Sequence, residues 1–158
     1  QDPPYDRYEM CWGKHTCLMG VVKALKAFAA IPAEKRTPGV EATLQKAAEF
    51  LLIHHIHKRS HQLNRVSKPG WLKFGFPLMY QTDALEILDI LTGLSIRDSR
   101  MEESIQAVVG KQGEDGKWKA ENTYNNDRLL IPFSEAAQSK WLTLRAMRVL
   151  KRYFESGG

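Results

Sequence analysis

The stretch "VEATLQKAA" (Val40–Ala48) returns 61 positions later as "MEESIQAVV" (Met101–Val109). Both carry Glu at the second place, Gln at the sixth, and apolar residues at the first, fifth, eighth and ninth. This spacing builds one face of a helix and not the alternation of a strand. The glutamate falls in the first turn, where the helix dipole favours negative charge. The segments ahead repeat as well: "VKALKAF" (Val22–Phe28) aligns with "LEILDIL" (Leu85–Leu91) at an offset of 63, and "LRAMRVL" (Leu144–Leu150) continues the pattern. The unit is a helical hairpin of about 60 residues with its loops, present two and a half times.

Five helices are therefore expected. The first runs from about Thr16 to Ala30 with Leu18, Val21, Val22, Leu25 and Phe28 on one stripe. Thr37 as N-cap and Pro38 at the first helical position announce the second, which buries Val40, Leu44, Ala47, Ala48, Leu51 and Leu52. A third spans about Met79 to Leu91 and stops at Gly93. Asp98 caps a fourth with Met101, Ile105, Val108 and Val109 inward. The last covers roughly Ser134 to Phe154, with Leu144, Met147, Leu150 and Phe154 as its inner stripe. Between the second and third helices the chain is expected to make a basic loop through Lys68.

Composition agrees with a single all-α domain over 1–158: 43% of residues are apolar, 26% are charged, and low-complexity tracts are absent. The net charge of +5 is spread over polar helix faces, as in Lys23, Lys26, Arg145, Arg148, Lys151 and Arg152, which reads as a solvated surface. In the basic last helix the aromatic residues sit at core spacing, so nucleic acid is not expected as a partner. No apolar run approaches the roughly 18 residues of a membrane span. A cytoplasmic location is the expectation, with the two cysteines, Cys11 and Cys17, as free thiols or metal ligands.

After the fourth helix stands "QGEDGKW", with Gln112, Gly116 and Trp118 spaced as Gln, three residues, Gly, one residue, Trp. Physically, an amide can satisfy orphan groups at a helix end, a glycine can return the chain, and an indole can cover the junction. The motif resembles the QW motif of squalene and oxidosqualene cyclases. With hairpins of this length, the chain resembles the α/α-toroid superfamily of terpenoid cyclases and protein prenyltransferase β subunits. It is also similar to prokaryotic squalene-cyclase-like proteins, in which a stretch like Tyr5 to His15, "YDRYEMCWGKH", precedes such a helix. The resemblance implies an incomplete α/α toroid, the C-terminal half of a ring completed by a missing N-terminal half or by self-association. It also implies a cavity for an isoprenoid or other apolar small molecule.

Three clusters are candidates for chemistry. In "MCWGKHTCLMG", Cys11, His15 and Cys17 lie within seven residues at the entrance of the first helix. The resemblance to prenyltransferases makes His15 a zinc ligand, although the Asp-x-Cys-Tyr segment that supplies the other ligands there is not in this sequence. From the spacing alone, three soft ligands need a fourth, and His61 or Asp83 are the candidates; the alternative is a helix entrance with packed thiols. The second cluster is "HHIHKRSH", where His54, His57 and His61 recur at three- and four-residue spacing; histidines are also favoured at a helix end by the dipole. The third is "GWLKFGFPLMYQTDAL", in which Trp71, Phe74 and Phe76 offer a ligand-binding wall and Tyr80 and Asp83 join His15 as candidate catalytic groups, Asp83 as a general acid if burial raises its pKa. Core packing and a first-turn carboxylate are the alternatives there. The Asp-x-Asp-Asp and Asp-Asp-x-x-Asp motifs of the two cyclisation chemistries are absent, and "NND" (Asn125–Asp127) has one carboxylate. If an acid lies in a missing half, this chain contributes only cavity wall.

Overall fold

The computed structural model describes residues 16–122 and 134–155, which hold five α-helices and one short pair of strands. In chain order these are α1 (Leu18–Ala29), α2 (Pro38–Ile53), β1 (Lys58–Arg59), β2 (Gln62–Val66), α3 (Ala84–Gly93), α4 (Glu102–Val109) and α5 (Glu135–Phe154). The helix starts follow the capping residues. Thr37 Oγ1 accepts from the Val40 N–H at 3.3 Å, with Pro38 as the first helical residue. Ser134 Oγ accepts from the Ala137 N–H at 3.2 Å, and Asp98 from the Arg100 N–H at 2.9 Å ahead of the 3-10 turn that leads into α4. Each cap removes one of the orphan donors of a helix start, typically about 1 kcal/mol.

Helix α3 is the centre of the molecule. It packs against α1, α4 and α5, while α2 packs on α1. Ala84, Leu85, Ile87, Leu88 and Leu91 are all fully enclosed. The core extends outward through Val22 and Leu25 of α1, Leu51 of α2, Ile105 and Val108 of α4, and Leu142, Ala146 and Val149 of α5. Helices α1, α3 and α5 thus form one layer, with α2 seated on α1 and α4 on α3. Glu49 of α2 receives a forked pair from Arg100, just ahead of α4, so the two second helices are neighbours.

Three expectations are corrected. The segment after α2 is a loop only in part: β1 and β2 pair antiparallel, with Lys58 opposite Val66 and Arg59 opposite Gln62 across a bulge. Its residues are exposed on both faces, so no apolar alternation marks it in the sequence. The third helix begins at Ala84, five residues later than expected, because the Asp83 side chain caps it. Most consequentially, α5 turns Leu142, Ala146 and Val149 inward and leaves Leu144, Met147 and Phe154 exposed; Val109 of α4 is also exposed. Helix α5 has apolar residues on more than one face. In this rotation Arg145, Arg148 and Arg152 all reach Asp89 of α3. Among the described residues no helix is long and apolar enough to cross a membrane.

Candidate functional site

The loop that feeds α3 gathers most of the residues singled out from the sequence. Trp71, in a 3-10 turn, and Phe74 are buried in the core, 3% and 1% exposed. The Phe74 carbonyl accepts from the Glu121 N–H at 2.9 Å, and the Phe74 N–H donates to Glu121 Oε2 at 3.2 Å. Gly75 bridges to Asn122 so closely that a Cβ there would lie 2.2 Å from the Asn122 carbonyl oxygen. Only glycine permits this approach without moving the backbone.

Asp83 is the latch of this loop. Its Oδ1 accepts from the Glu86 N–H at 2.8 Å and its Oδ2 from the Gly75 N–H at 2.9 Å, so one carboxylate both caps α3 and holds the loop. The group is 1% exposed. Burial raises its pKa to about 6, against the pull of the two N–H donors and of the Arg145 charge. Both oxygens are engaged by backbone and the group is closed to solvent, which fits a positioning role better than proton delivery to a ligand.

The aromatic residues divide. Trp71 and Phe74 face the core, whereas Phe76 is half-buried and stacks on Trp141 of α5, with ring centroids 5.9 Å apart and planes at 24°. Trp141 is 44% exposed and Tyr80 71%. The surface pair Phe76–Trp141 is thus an open aromatic shelf, with Tyr80 projecting into solvent from the same loop as Phe76. Sequence reasoning misses Trp141. Its signal there is a large aromatic at the margin of a helix otherwise rich in Lys and Arg.

Two carboxylates tie α3 to its neighbours. Glu86 takes Lys23 and Lys26 of α1 at 2.7 Å each. Burial pushes its carboxyl up, but the two ammonium groups outweigh this and hold it below the usual value. Asp89 takes Arg148, Arg152 at 3.1 Å and Arg145 at 3.9 Å. Buried Nη1 of Arg145 has no hydrogen-bond partner among the described residues.

The histidines do not converge. His54 Nδ1 is 2.8 Å from the Phe50 carbonyl, His57 Nδ1 is 2.8 Å from Ser104 Oγ inside the core, and His61 is exposed in the turn between β1 and β2. Desolvation lowers the His57 pKa. Among the described residues no three His, Cys, Asp or Glu side chains cluster to hold a metal. Cys17 is the residue ahead of α1 and makes no capping bond. Cys11, His15 and the Asn125–Asp127 stretch lie outside the described residues.

The Gln112–Gly116–Trp118 motif forms a junction. Gln112 Nε2 donates to the Gly116 carbonyl at 3.1 Å, and Gly116 sits at φ 75°, where glycine is favoured. Trp118 is 1% exposed, and its Nε1 donates to the Val108 carbonyl at 2.7 Å. Its backbone N–H donates to Thr143 Oγ1 at 3.0 Å and its carbonyl accepts from Ser139 Oγ at 2.7 Å. The backbone N–H groups of Gly110, Lys111 and Gln112 take the last carbonyls of α4, the indole, and not the glutamine side chain, adds a second donor to Val108, and the same residue stitches α4 to α5. No family model, curated protein or solved structure matches the chain.

Proposed function

We propose that this chain is part of a helical-hairpin ring of the terpenoid-cyclase and prenyltransferase type, and that it supplies wall for an isoprenoid or other apolar ligand. The observation that carries this reading is the Phe76–Trp141 stack at the surface, in which Trp141 is exposed and Phe76 half-buried, with exposed Tyr80 in the adjoining loop. A partly exposed aromatic stack, with a second exposed aromatic beside it, suits an apolar chain or a passing positive charge. Asp83 holds the loop that presents Phe76, and the ring is completed by a missing N-terminal half or by self-association.

The test is an organic extract of the purified protein by mass spectrometry, with a titration of a linear isoprenoid alcohol read by tryptophan fluorescence. Saturable quenching that weakens about tenfold in Trp141→Ala, equivalent to about 1.4 kcal/mol, supports the reading. A second reading, a non-catalytic helical-repeat binding or scaffold module, is favoured by one arrangement: both oxygens of Asp83 are occupied by backbone, and Trp71 and Phe74 are internal. An extract without lipid and a titration without quenching would leave the scaffold as the function.

A further inference from the structure

The net charge of +5 is not spread over the polar helix faces as expected. The stretch from Phe50 to Thr82 contains no Asp or Glu and five Lys or Arg: Lys58, Arg59, Arg65, Lys68 and Lys73. The chain has 23 basic and 18 acidic residues, so the 18 basic residues outside this stretch are matched by 18 acidic ones. Basic helix faces are also engaged locally: Lys23 and Lys26 meet Glu86, and Arg145, Arg148 and Arg152 meet Asp89. The excess belongs to the connection that carries β1 and β2. There all seven residues of "RSHQLNR" (Arg59–Arg65) are exposed. Every side chain in it except Leu63 can donate a hydrogen bond, and none is acidic. Lys58, at the root, pairs with Glu103 at 2.7 Å, whereas Arg59, Arg65 and Lys73 pair with no carboxylate among the described residues.

The root of this ribbon is fixed to the core. His57 is 1% exposed, with Nδ1 2.8 Å from Ser104 Oγ of α4, and its carbonyl accepts from the Ser67 N–H at 2.8 Å just past β2. His55 and Ile56 turn the chain out of α2 at φ 42° and 68°, and Ile56 is fully enclosed. Such backbone in non-glycine residues persists only where its surroundings over-determine it, and it clusters at ligand clamps.

We propose that the β1–β2 ribbon grips duplex DNA through its phosphates, lying against the major groove. The 5 residues of β2 span about 17 Å at about 3.3 Å each. A two-stranded ribbon is admitted by the B-form major groove, about 12 Å wide. Arg59 and Arg65 carry planar forks suited to bidentate phosphate contacts, and Ser60, Gln62 and Asn64 are of the kinds that donate to phosphate and sugar oxygens. A bilayer surface is a poorer occupant, because interfacial elements set Trp, Phe or Leu beside their cations and here Leu63 is the one apolar residue of the run.

The experiment titrates the full chain into a fluorescein-labelled DNA duplex of about 20 base pairs and reads anisotropy between about 50 and 200 mM salt. Three phosphate contacts predict a log–log salt slope of about −2.7, a loss of about fortyfold over that range. Arg59→Ala with Arg65→Ala leaves one contact, so the slope should fall to about −0.9 and binding at about 50 mM salt weaken at least tenfold. Both arginines are exposed, so the double variant is expected to keep the wild-type circular dichroism. Lys35→Ala with Lys151→Ala removes the same charge from exposed sites outside the ribbon and should bind within about threefold of wild type. Absence of saturable binding by the folded wild type overturns the proposal, as does a loss in the Lys35/Lys151 variant equal to that in the arginine variant. Displacement of the duplex by poly-glutamate, charge for charge, overturns it by showing that any polyanion serves. Arginine-dependent binding to phosphatidylserine vesicles with none to the duplex would give the ribbon to a bilayer and overturn it too. The ribbon shares no residue with the Phe76–Trp141 stack or Tyr80, so this titration and that of the isoprenoid fail separately.

Discussion

Replacing Asp83 with asparagine should change the pH dependence of stability in a way only this carboxylate can produce. Its pKa is raised from an ordinary 3.8 to about 6 in the folded chain. A shift of about two units corresponds to about 3 kcal/mol between the protonation states. The raised value means that the contribution is fully present below the unfolded pKa and is lost as pH climbs through about 6. The asparagine would keep the bond from the Glu86 N–H through its carbonyl oxygen, but its amide nitrogen cannot accept from the Gly75 N–H, a loss of about 1–3 kcal/mol. Asp83→Asn is therefore expected to be clearly less stable than wild type near pH 4, and the gap to shrink by about 2–3 kcal/mol by pH 8. The assay is urea unfolding of both proteins across that range, read as a difference. The difference matters because His57, with its lowered pKa, acts in the opposite direction: its contribution is present above the usual histidine value and lost as pH falls. A gap that stays constant with pH would refute the argument that burial of this charge is costly.

Other substitutions test the frame around the site. Trp118→Ala should cost about 3–5 kcal/mol in chemical unfolding, and Trp118→Phe, which keeps much of the volume and removes only one of the two donors to the Val108 carbonyl, about 0.5–1.5 kcal/mol. Gly75→Ala should lower the melting temperature sharply because its Cβ meets the Asn122 carbonyl, whereas Gly70→Ala, with open space around it, should not. Leu142→Ala should cost about 2–5 kcal/mol and Leu144→Ala less than about 1 kcal/mol, which checks the rotation of α5 by unfolding alone.

Where local chemistry decides, the sequence is a good guide. Thr37–Pro38, Asp98 and Ser134 mark helix starts because capping needs only neighbours a few residues away. The Gln112–Gly116–Trp118 spacing likewise foretells a turn and a covering indole. What escapes sequence reading depends on distant partners. The role of Gly75 rests on Asn122, and that of Trp141 on Phe76. The paired strands β1 and β2 are two-faced polar and leave no periodicity to detect. Aromatic side chains in "GWLKFGFPLMY" look alike in sequence, yet Trp71 and Phe74 face the core while Phe76 is half-buried and Tyr80 exposed, in a loop that Glu121 holds at Phe74.

On α5 two apolar faces compete, and the arginines that reach Asp89 favour the one that is buried. Leu144, Met147 and Phe154 are at least as large as Leu142, Ala146 and Val149, so burial alone would favour the opposite face. Arg145, Arg148 and Arg152 all lie on one flank and converge on the single carboxylate of Asp89. Partly exposed pairs add little to stability, about 0–1 kcal/mol each, but three donors on one acceptor fix an angle. Asp89→Ala should therefore lower the unfolding free energy only modestly while loosening the helix about its axis. Hydrogen exchange is the readout: amides on the inner side of α5, around Leu142 and Ala146, should lose protection in the variant, and Met147 should become less accessible to oxidation. If exchange and Met147 oxidation both match wild type, the packing of the smaller residues suffices to set the rotation, and the three arginines serve only the surface.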